Sequence, residues 1–484
     1  MQKFVSVPRL LLSATGSDCG KTTMVLALLA AFRQKNISVQ SYKSGPDYID
    51  PMFHEKVTRR PVYHTDPFFL QQDAMQQLVA QTAQQTELAL IEGAMGFYDG
   101  IGQTSEASAY TVSQWLQTPT VLVVNPQKMG RSVAAICNGF LHLEQNHLIK
   151  GFLLNRVRSS MASYYQEIIE RETGLPVYGF LPELPSVQLP SRHLGLLTAS
   201  EIAQLDEKIK LLADTAQKTI AWETLLELAA TAPPLPLKER ILPHSEPFRL
   251  GIAEDAAFCF YYTENLEMLQ EYGAELVSVS PLTDTVLSED LDGLYLGGGY
   301  PELYLPQLSS NRSFIQSLRT AAKKKLPIFA ECGGFLYLLQ KLSDQDGISY
   351  PMAGLLSGTA AMQKQLCRFG YLTLTAQQDT ILAEKGTRIQ AHSFHYADST
   401  ENGTAFLAER PNGKQWQEIQ QQGSILAGFP HWYFPSNPHV PQRFAEQCIV
   451  YRKRRMQEAG DLSCRFLFRV VLPAESHSWR NSLL

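Results

Sequence analysis

The sequence predicts an α/β protein in which two domains, each built on a parallel sheet, follow one another along the chain. Short apolar runs alternate with small-residue turns and longer amphipathic stretches, which is the pattern of βαβ units. The alternation stops in a proline-rich segment at 230–247 and then begins again. The 484 residues suffice for two or three domains of roughly 150 residues, each with its own core.

In each half, short apolar runs bounded by turn residues mark the buried strands. Before the proline-rich segment the predicted strands are Arg9–Ser13, Leu88–Ile91, Thr120–Val124 and Gly151–Leu154. After it they are Arg249–Ala253, Glu275–Val279, Gly293–Leu296 and Leu326–Ala330.

Composition excludes several classes of protein. With 42 basic and 47 acidic residues, the net charge of -5 offers no general attraction to nucleic acid or to anionic membranes. No run approaches the roughly 18 apolar residues of a membrane span, and the first apolar run leads into a glycine loop. The 7 cysteines lack CxxC spacing, which argues against a disulfide framework or a zinc site. We therefore expect a cytoplasmic protein with no nucleic-acid or membrane partner.

A phosphate-binding loop is predicted between the first strand and the helical stretch 24–34. Its glycines let backbone amides turn toward phosphate oxygens, Lys21 can reach the β- and γ-phosphates, and the Thr22 hydroxyl can ligate Mg²⁺. The strict pattern GxxxxGK[ST] has glycine where Thr15 stands, so this loop is a variant. The candidate nucleotide-binding residues are Gly16, Ser17, Asp18, Cys19, Gly20, Lys21, Thr22 and Thr23.

Two acidic residues follow predicted strands and could complete a metal site. Asp47 lies in the turn-rich segment 43–54, and Glu92 closes the strand Leu88–Ile91. In open α/β sheets, ligands bind outside the carboxyl ends of the strands, where both acids fall. Together with the hydroxyl of Thr22, Asp47 and Glu92 are the predicted ligands of Mg²⁺.

A candidate nucleophile, Cys332, stands between an apolar strand and a helix, with small neighbours that relieve crowding at such a turn. The helix N-terminus is expected to lower the pKa of the thiol, and the amide of Gly333 could stabilise an oxyanion. Gly298 and Gly299, at the end of an earlier strand, could complete the oxyanion hole. A thiol nucleophile needs a base, and the candidates are His392, His395 and His431.

With these residues in view, the sequence resembles the cobyrinic acid a,c-diamide synthase family over roughly residues 8–450. The resemblance is specific because separate motifs occur in family order: GKTT at 20–23, KSGPDYIDP at 43–51, EGAMG at 92–96, LPSRHLGL at 189–196, FCFYYTENL at 258–266, GGGYPE at 297–302 and AECGG at 330–334.

The resemblance implies a two-domain enzyme. An ATP-dependent P-loop synthetase domain, similar to dethiobiotin synthetase, would occupy 1–229, and a class I glutamine amidotransferase α/β domain would occupy 248–450. The segment 230–247 would be a linker, and the tail at 451–484 has no assigned role. The implied reactants are cobyrinic acid or a related corrinoid, L-glutamine and ATP with Mg²⁺. The sequence does not decide oligomeric state, and a homodimer is one option.

The resemblance also implies residue roles. Cys332 would attack the amide of glutamine with His431 as base, and the ammonia released would capture a corrinoid carboxylate that ATP has activated as an acyl phosphate. The a and c acetates would be amidated in turn. Asn155 matches the position expected to meet the adenine. The positions matched to the reacting carboxylate and the metal are Tyr48, Asp50 and Asp99.

The sequence departs from the family pattern at three places. Tyr433 stands two residues after His431, where many class I amidotransferases carry the acid of the triad, so the third member is unassigned. Ser393 replaces a usual glutamate between His392 and His395, and Asn125 stands where an aspartate is frequent.

Two other functions stay open at this stage. One is amidation of a different acid, such as nickel-sirohydrochlorin or a carboxylic acid that is not a tetrapyrrole. The other is a nucleotide-switch protein whose amidotransferase domain is degenerate, although an intact Cys332 elbow has no reason to persist in a pure switch.

Overall fold

The computed structural model describes residues 3–187, 191–192, 195–196, 201–239 and 245–469. In the first half its strands are β1 Lys3–Val5, β2 Arg9–Ala14, β3 Val39–Lys43, β4 Tyr63–His64, β5 Leu88–Glu92, β6 Thr120–Val124, β7 Ile149–Asn155, β8 Val177–Leu181, β9 Ser191–Arg192, β10 Gly195–Leu196 and β11 Leu235–Leu237. The helices there are α1 Lys21–Gln34, α2 Ile49–Thr58, α3 Gln72–Thr82, α4 Ala109–Leu116, α5 Ser132–Leu143, α6 Ala162–Thr173, α7 Leu205–Thr219 and α8 Trp222–Ala230.

Within the described residues, seven strands of the first half form a parallel sheet in the order β4-β3-β5-β2-β6-β7-β8. Central β2 is buried along its whole length, as expected of a strand covered on both faces. Helix α1, which follows it, is buried from Met24 to Phe32. The loop between β2 and α1 therefore starts from the middle of the sheet.

The second half contains strands β12 Phe248–Ala253, β13 Ala274–Val279, β14 Gly293–Leu296, β15 Ile328–Glu331, β16 Lys341–Ser343, β17 Ser349–Pro351, β18 Thr359–Met362, β19 Arg368–Ala376, β20 Arg388–His395, β21 Ala397–Ser399, β22 Phe406–Glu409, β23 Gln415–Glu418, β24 Gln420–Gln422, β25 Ile425–Gly428 and β26 His431–Trp432. Its helices are α9 Thr263–Glu271, α10 Leu305–Ser310, α11 Arg312–Lys323, α12 Gly333–Leu338 and α13 His439–Arg469.

The central sheet of this half has the order β13-β12-β14-β15-β25-β24 in the described part of the chain. Its first five strands are parallel, and β24 joins the edge in the antiparallel sense. All eight strands predicted from sequence are confirmed as strands, with ends that differ by at most a few residues. The ends shift because hydrogen bonding between neighbours, rather than hydrophobicity, decides where a strand stops.

The region between β15 and β25 departs from the predicted βαβ alternation. After the short helix α12 the chain builds two further sheets, β17-β16-β18-β21 and β23-β22-β19-β20-β26. The long pair β19 and β20 is antiparallel and places His395 opposite Arg368. Half-exposed antiparallel strands alternate polar and apolar residues, so they lack the continuous apolar runs that identified the other strands.

Aromatic side chains join the two halves. Phe69 stacks on Tyr433 with ring centroids 4.8 Å apart, and Phe68 stacks on Tyr371 at 4.4 Å. Tyr371 donates its hydroxyl hydrogen to Asp66 at 2.8 Å. These contacts hold the segment that follows β4 against β19 and against the residue that follows β26.

Two predicted boundaries fall within regular structure. In the segment 230–247, β11 pairs with β1, and residues 240–244 lie outside the described residues. The boundary at 450 lies inside α13, and residues 470–484 of the predicted tail are also outside the described residues. Of the motif at 189–196, residues 189–190 and 193–194 are likewise not described.

Candidate active sites

The phosphate loop has the predicted strand-to-helix position. It leaves β2 after Ala14, and α1 begins at Lys21. Gly20 has φ +83°, and a Cβ there would lie 1.8 Å from Nδ2 of Asn155. That amide donates to the carbonyl of Cys19 at 2.9 Å, so Asn155 holds the loop backbone in this structure. Its expected contact with adenine stays a prediction.

The side chains that follow the loop meet the ends of β3 and β5. Thr22 donates its hydroxyl hydrogen within 2.9 Å of Glu92 Oε1 and 3.1 Å of Asp50 Oδ2. Lys21 donates to the carbonyl of Met95 at 3.0 Å. Burial, together with the nearby charge of Lys43, lowers the pKa of Lys21. The parallel sheet brings these groups together because the carboxyl ends of its strands share one edge.

Lys43 is the centre of a buried charge cluster. Its ammonium contacts Asp50, lies 3.3 Å from Glu92 Oε1 and lies 3.5 Å from Asp47 Oδ2. Burial alone would lower the pKa of Lys43, but these three carboxylates raise it above its usual range. On the far side of Glu92, His54 contacts Oε2 at 2.8 Å. Burial opposes the ionisation of Glu92, yet Lys43 and His54 together lower its pKa.

The structure groups the predicted metal ligands differently from the sequence analysis. Thr22 contacts Glu92 and Asp50, whereas Asp47 turns its Oδ1 to the amide of Ile49 at 2.8 Å. Asp99 is exposed and accepts from the amide of Gly96 at 2.8 Å. Among the residues that the structure describes, no group of three or more His, Cys, Asp or Glu side chains is arranged to hold a metal ion.

Cys332 lies at a sharp elbow between β15 and α12. Its φ of +44° is strained for a residue with a side chain, and its amide donates to the carbonyl of Gly428 at 2.8 Å. The expectation of a lowered thiol pKa is wrong. Burial, with a smaller contribution from Glu302, raises the pKa of Cys332 to about 12, and the amide of Gly333 opposes this only weakly. The free protein therefore holds a protonated thiol.

His431 reaches the same place from β26, which pairs with β20 so that His431 lies opposite His392. A Cβ at Gly298 would lie 2.4 Å from Cε1 of His431, so only glycine leaves room for the ring. Burial, together with His392 and His395, lowers the pKa of His431 to about 3. The imidazole is therefore neutral and able to accept a proton.

The other candidate bases have different surroundings. His395 stacks on Phe429 with centroids 3.8 Å apart, and its Nδ1 contacts the carbonyl of Ala397 at 2.7 Å. His392 lies between Phe369 and Tyr371, with centroid distances of 5.7 and 6.1 Å.

The predicted oxyanion glycines lie beside the elbow. A Cβ at Gly333 would lie 3.1 Å from the amide nitrogen of Gly299, so the strand end and the elbow are in contact. Gly299 lines the same cavity as Cys332 and His431. The carbonyl of Gly298 accepts from the amide of Phe260 at 3.1 Å, which ties this strand end to the chain before α9.

A single cavity of about 1700 Å³ joins the two clusters. Lys21, Thr22 and Asp50 line one part of it, and Cys332 and His431 line another. Tyr48 lies between them, because its ring contacts Phe260 at 5.2 Å and His431 at 5.1 Å while its neighbours in sequence belong to the Lys43 cluster. Residues 302, 362, 369–371, 392, 394–397 and 410–412 extend the cavity wall.

Comparisons with known proteins agree with both clusters. Residues 10–197 match a family described as CobQ/CobB/MinD/ParA nucleotide binding domain, and residues 249–439 match CobB/CobQ-like glutamine amidotransferase domain. A cobyrinate a,c-diamide synthase of Leptospira interrogans is 35% identical over 92% of this chain and 99% of its own. One from Dehalococcoides mccartyi is 37% identical over 91% of this chain and 98% of its own. This chain belongs to the cobyrinate a,c-diamide synthase family.

Solved structures give weaker matches. PurLQS from Thermotoga maritima is 14% identical over 42% of this chain and 99% of its own, with a TM-score of 0.31. MinD from Aquifex aeolicus is 14% identical over 48% of this chain and 99% of its own, with a TM-score of 0.29. Likenesses at this level carry no argument about function.

Membership of the cobyrinate a,c-diamide synthase family confirms the resemblance on which the two-domain prediction rests. The N-terminal half contains a nucleotide-binding domain and the C-terminal half a glutamine amidotransferase domain. No helix within the described ranges is long and apolar enough to cross a membrane.

Sequence reasoning missed three residues of these clusters. Lys43 belongs to a motif of the family, but nothing in its spacing showed that it would lie within 3.5 Å of three acidic side chains. His54 lies one turn after Asp50 on α2, and that spacing could have indicated a shared helix face. Glu331 precedes the elbow cysteine, and a carboxylate in an otherwise apolar strand is a signal in itself.

Proposed function

We propose that this protein is a cobyrinate a,c-diamide synthase, which amidates the a and c side-chain carboxylates of cobyrinic or hydrogenobyrinic acid with ATP and glutamine. The observation that carries the proposal is the cavity shared by the phosphate-loop cluster and the cysteine elbow. An amide ligase that uses glutamine must release ammonia at one centre and consume it at another. A common cavity supports transfer between the two centres.

At the elbow, the thiol of Cys332 would attack the amide carbon of glutamine while its proton passes to His431. The tetrahedral oxyanion would be stabilised by amides of the adjoining glycine strand end and of Gly333. His431 would then protonate the leaving nitrogen, releasing ammonia and leaving a glutamyl thioester. Water hydrolyses the thioester to glutamate and restores the thiol.

At the phosphate loop, Lys21 and the loop amides would hold the phosphates of ATP. A substrate carboxylate oxygen attacks the γ-phosphorus and ADP leaves, giving an acyl phosphate. Ammonia then attacks the acyl carbon and phosphate leaves, giving the amide. The single positive charge of Lys43, which lies among Asp47, Asp50 and Glu92, would offset part of the negative charge at this place.

The residues fit Mg²⁺ as a companion of ATP. Thr22, Glu92 and Asp50 present hard oxygen donors beside the phosphate loop, and Mg²⁺ completes its shell with water and phosphate oxygens rather than with a full protein cage. We propose Thr22 and Glu92 as the protein groups that hold it, with Asp50 in place of the Asp47 expected from sequence. When bound, the ion neutralises charge on the transferred phosphoryl group.

The cavity also suits a large planar acid. Its wall on β19 and β20 carries Phe369, Tyr371 and Phe394, which can pack against a conjugated macrocycle. Arg410, which follows β22, also lines the cavity and can pair with peripheral carboxylates.

The test is mass spectrometry of cobyrinic acid incubated with the protein, MgATP and amide-¹⁵N-glutamine. We expect two labelled amides per corrinoid. Hydrogenobyrinic acid and nickel-sirohydrochlorin, assayed in parallel, compare the metal-free and nickel substrates. Amidation of nickel-sirohydrochlorin alone would overturn the cobalamin assignment while keeping the ligase. Failure to label any acid, with the phosphate loop and the elbow both intact, would contradict the proposed function altogether.

A further inference from the structure

The family comparison leaves the third member of the glutaminase triad open, because Tyr433 occupies the position where an acid would be expected. Its hydroxyl contacts Glu264 at 3.3 Å, and Glu264 is already engaged by the amide of His64. Tyr433 has no carboxylate, and its hydroxyl is directed to Glu264 rather than to His431. An acid for this base has to come from elsewhere in the fold.

The structure places the carboxylate of Glu331, the residue before the nucleophile, beside the base. Oε2 of Glu331 lies 4.0 Å from Nδ1 of His431, and both side chains are at least 97% buried. Nδ1 of His431 is buried and has no hydrogen-bond partner among the described residues. A buried ring nitrogen without a partner costs free energy, and Glu331 is the acid within reach of this one.

The topology explains why the acid and the base meet. Glu331 ends β15 and is paired with Gly428 at the end of β25. The chain leaves β25 and reaches His431 three residues later, beside the same strand end. The acid and the nucleophile are thus consecutive residues, the acid ending the strand and the nucleophile forming the elbow with φ +44°. Cys332 lines the cavity, whereas the buried side chain of Glu331 lies beside His431.

Other contacts hold the carboxylate in place. Oε1 of Glu331 accepts from the amide of Trp432 at 2.6 Å, and Oε2 accepts from the hydroxyl of Tyr295 at 2.7 Å. Trp432 directly follows His431, so Glu331 binds the backbone next to the base and also lies near its ring. Burial raises the pKa of Glu331 to about 8, although both hydrogen bonds favour the ionised form.

We propose that Glu331 is the positioning residue of the glutaminase triad, accepting the Nδ1 hydrogen of His431 so that Nε2 is free to take the proton of Cys332. This inference rests on the proposed glutaminase chemistry. The present separation of 4.0 Å is longer than a hydrogen bond, so this role requires the two atoms to approach by about 1 Å when positive charge develops on the ring. The ionised form of Glu331 selects the reactive tautomer and stabilises the imidazolium that forms. Because burial raises the pKa of Glu331 to about 8, that form is the smaller fraction at pH 7 in the free protein, and its fraction rises with pH.

The deciding variant is Glu331→Gln, which keeps the shape of the side chain and an acceptor for the amide of Trp432. Its amide group cannot accept at Nδ1 while its oxygen serves Trp432. We expect the kcat of glutamine hydrolysis to fall about 100-fold or more, with the KM for glutamine within about threefold of the wild-type value. Synthesis from high external ammonia should be unchanged, because it does not use the elbow.

The matched control is Glu418→Gln, the same substitution at another fully buried glutamate, which lies on β23 and does not line the cavity. Its kcat should stay within about threefold of the wild-type value. Equal losses in the two variants would assign Glu331 a merely structural role, and an unchanged kcat in Glu331→Gln would also overturn the proposal. If Glu331→Gln does not fold, Glu331→Asp decides, because withdrawing the carboxylate from Nδ1 must lower kcat.

The readout separates this inference from the proposed function. Glutamate release needs no corrinoid, so the triad can be tested even if the macrocyclic substrate has been assigned wrongly. Conversely, a diamide product with an unaffected Glu331→Gln glutaminase would retain the function and remove the inference.

Discussion

At the residue scale, the nucleophile Cys332 and the base His431 are both uncharged in the free protein. Burial holds the Cys332 thiol protonated and the His431 imidazole neutral, with pKa values of about 12 and about 3. A thiolate and an imidazolium formed in this site would lack solvation, so proton transfer is favoured only when it accompanies attack on the amide.

Replacement of the nucleophile should separate the two half-reactions. Cys332→Ala is expected to abolish glutamine-dependent amidation and to leave amidation with high external ammonia, because the two chemistries use different clusters. Product formation with each nitrogen donor is the measurement. Cys367→Ala is the matched control, since its thiol contacts backbone carbonyls away from the elbow. Equal loss with both donors would contradict the division of labour.

Replacement of the phosphate-loop lysine should impair amidation with both nitrogen donors but not abolish glutamine hydrolysis. Lys21→Ala is expected to remove amidation with either donor, by about 100-fold or more, because the phosphates lose a positioned charge. Glutamine hydrolysis should persist in part. Lys35→Ala, at the other end of α1, serves as control. Retention of full ligation by the loop variant would refute the assigned role of Lys21.

At the element scale, the antiparallel pair β19 and β20 forms a side wall of the cavity, which the parallel sheets do not. The carboxyl ends of parallel strands provide reacting groups, while β19 and β20 provide a broad wall beside them. Phe369 on this wall is 54% exposed and contacts Phe394 at a centroid distance of 5.3 Å. An exposed aromatic that lines a cavity is typical of a ligand surface.

Phe369→Ala should therefore weaken binding of the corrinoid. We expect the dissociation constant to rise about tenfold, which corresponds to about 1.4 kcal/mol of lost apolar contact. Absorbance titration with cobyrinic acid measures it, and glutamine hydrolysis should be unaffected. Ile348→Ala is a control of equal exposure, 54%, whose side chain lies outside the cavity. Unchanged affinity in the Phe369 variant would exclude this wall as the binding surface.

At the scale of the whole molecule, the two halves are joined by buried aromatic and polar contacts rather than by the chain connection alone. Asp66 of the first half accepts from Tyr371 of the second and is fully buried. Burial raises the pKa of Asp66 to about 6, although Tyr371 and nearby amides favour its ionised form. The folded protein therefore binds this proton more tightly than the unfolded chain does.

This pKa predicts how the stability of the joined halves depends on pH. Because the folded value exceeds the unfolded one, the contribution of Asp66 to stability falls as pH rises from about 4 through about 6, by about 3 kcal/mol at most. Asp66→Asn removes the titration. The free energy of unfolding in urea should therefore fall with pH in the wild type but not in the variant, so the stability of the variant relative to the wild type should rise over this range. Asp73→Asn, on the exposed surface of α3, is the control. A difference between variant and wild type that is constant with pH would contradict the prediction.

Much of the fold and of the site could be predicted from local patterns. Buried parallel strands such as Thr120–Val124 are continuous apolar runs, and the loop at Gly20 and the elbow at Cys332 are indicated by small residues at strand-to-helix turns. The antiparallel wall could not be predicted in this way, since its strands are half-exposed. The choice of metal ligands could not be made in this way either, because Asp47, Asp50 and Glu92 all surround Lys43 and only the fold shows that Thr22 contacts Asp50 and Glu92.

By itself, the sequence determined the family and the order of the two domains, and it predicted the nucleophile and the phosphate loop, because each depends on residues that are neighbours along the chain. Only the tertiary structure decided that Lys43 lies among three acidic side chains, that burial raises the pKa of Cys332 and that Glu331 approaches His431. Those properties depend on burial and on distances between residues far apart in sequence. Packing of one sheet end against another sets both, and no local pattern encodes them.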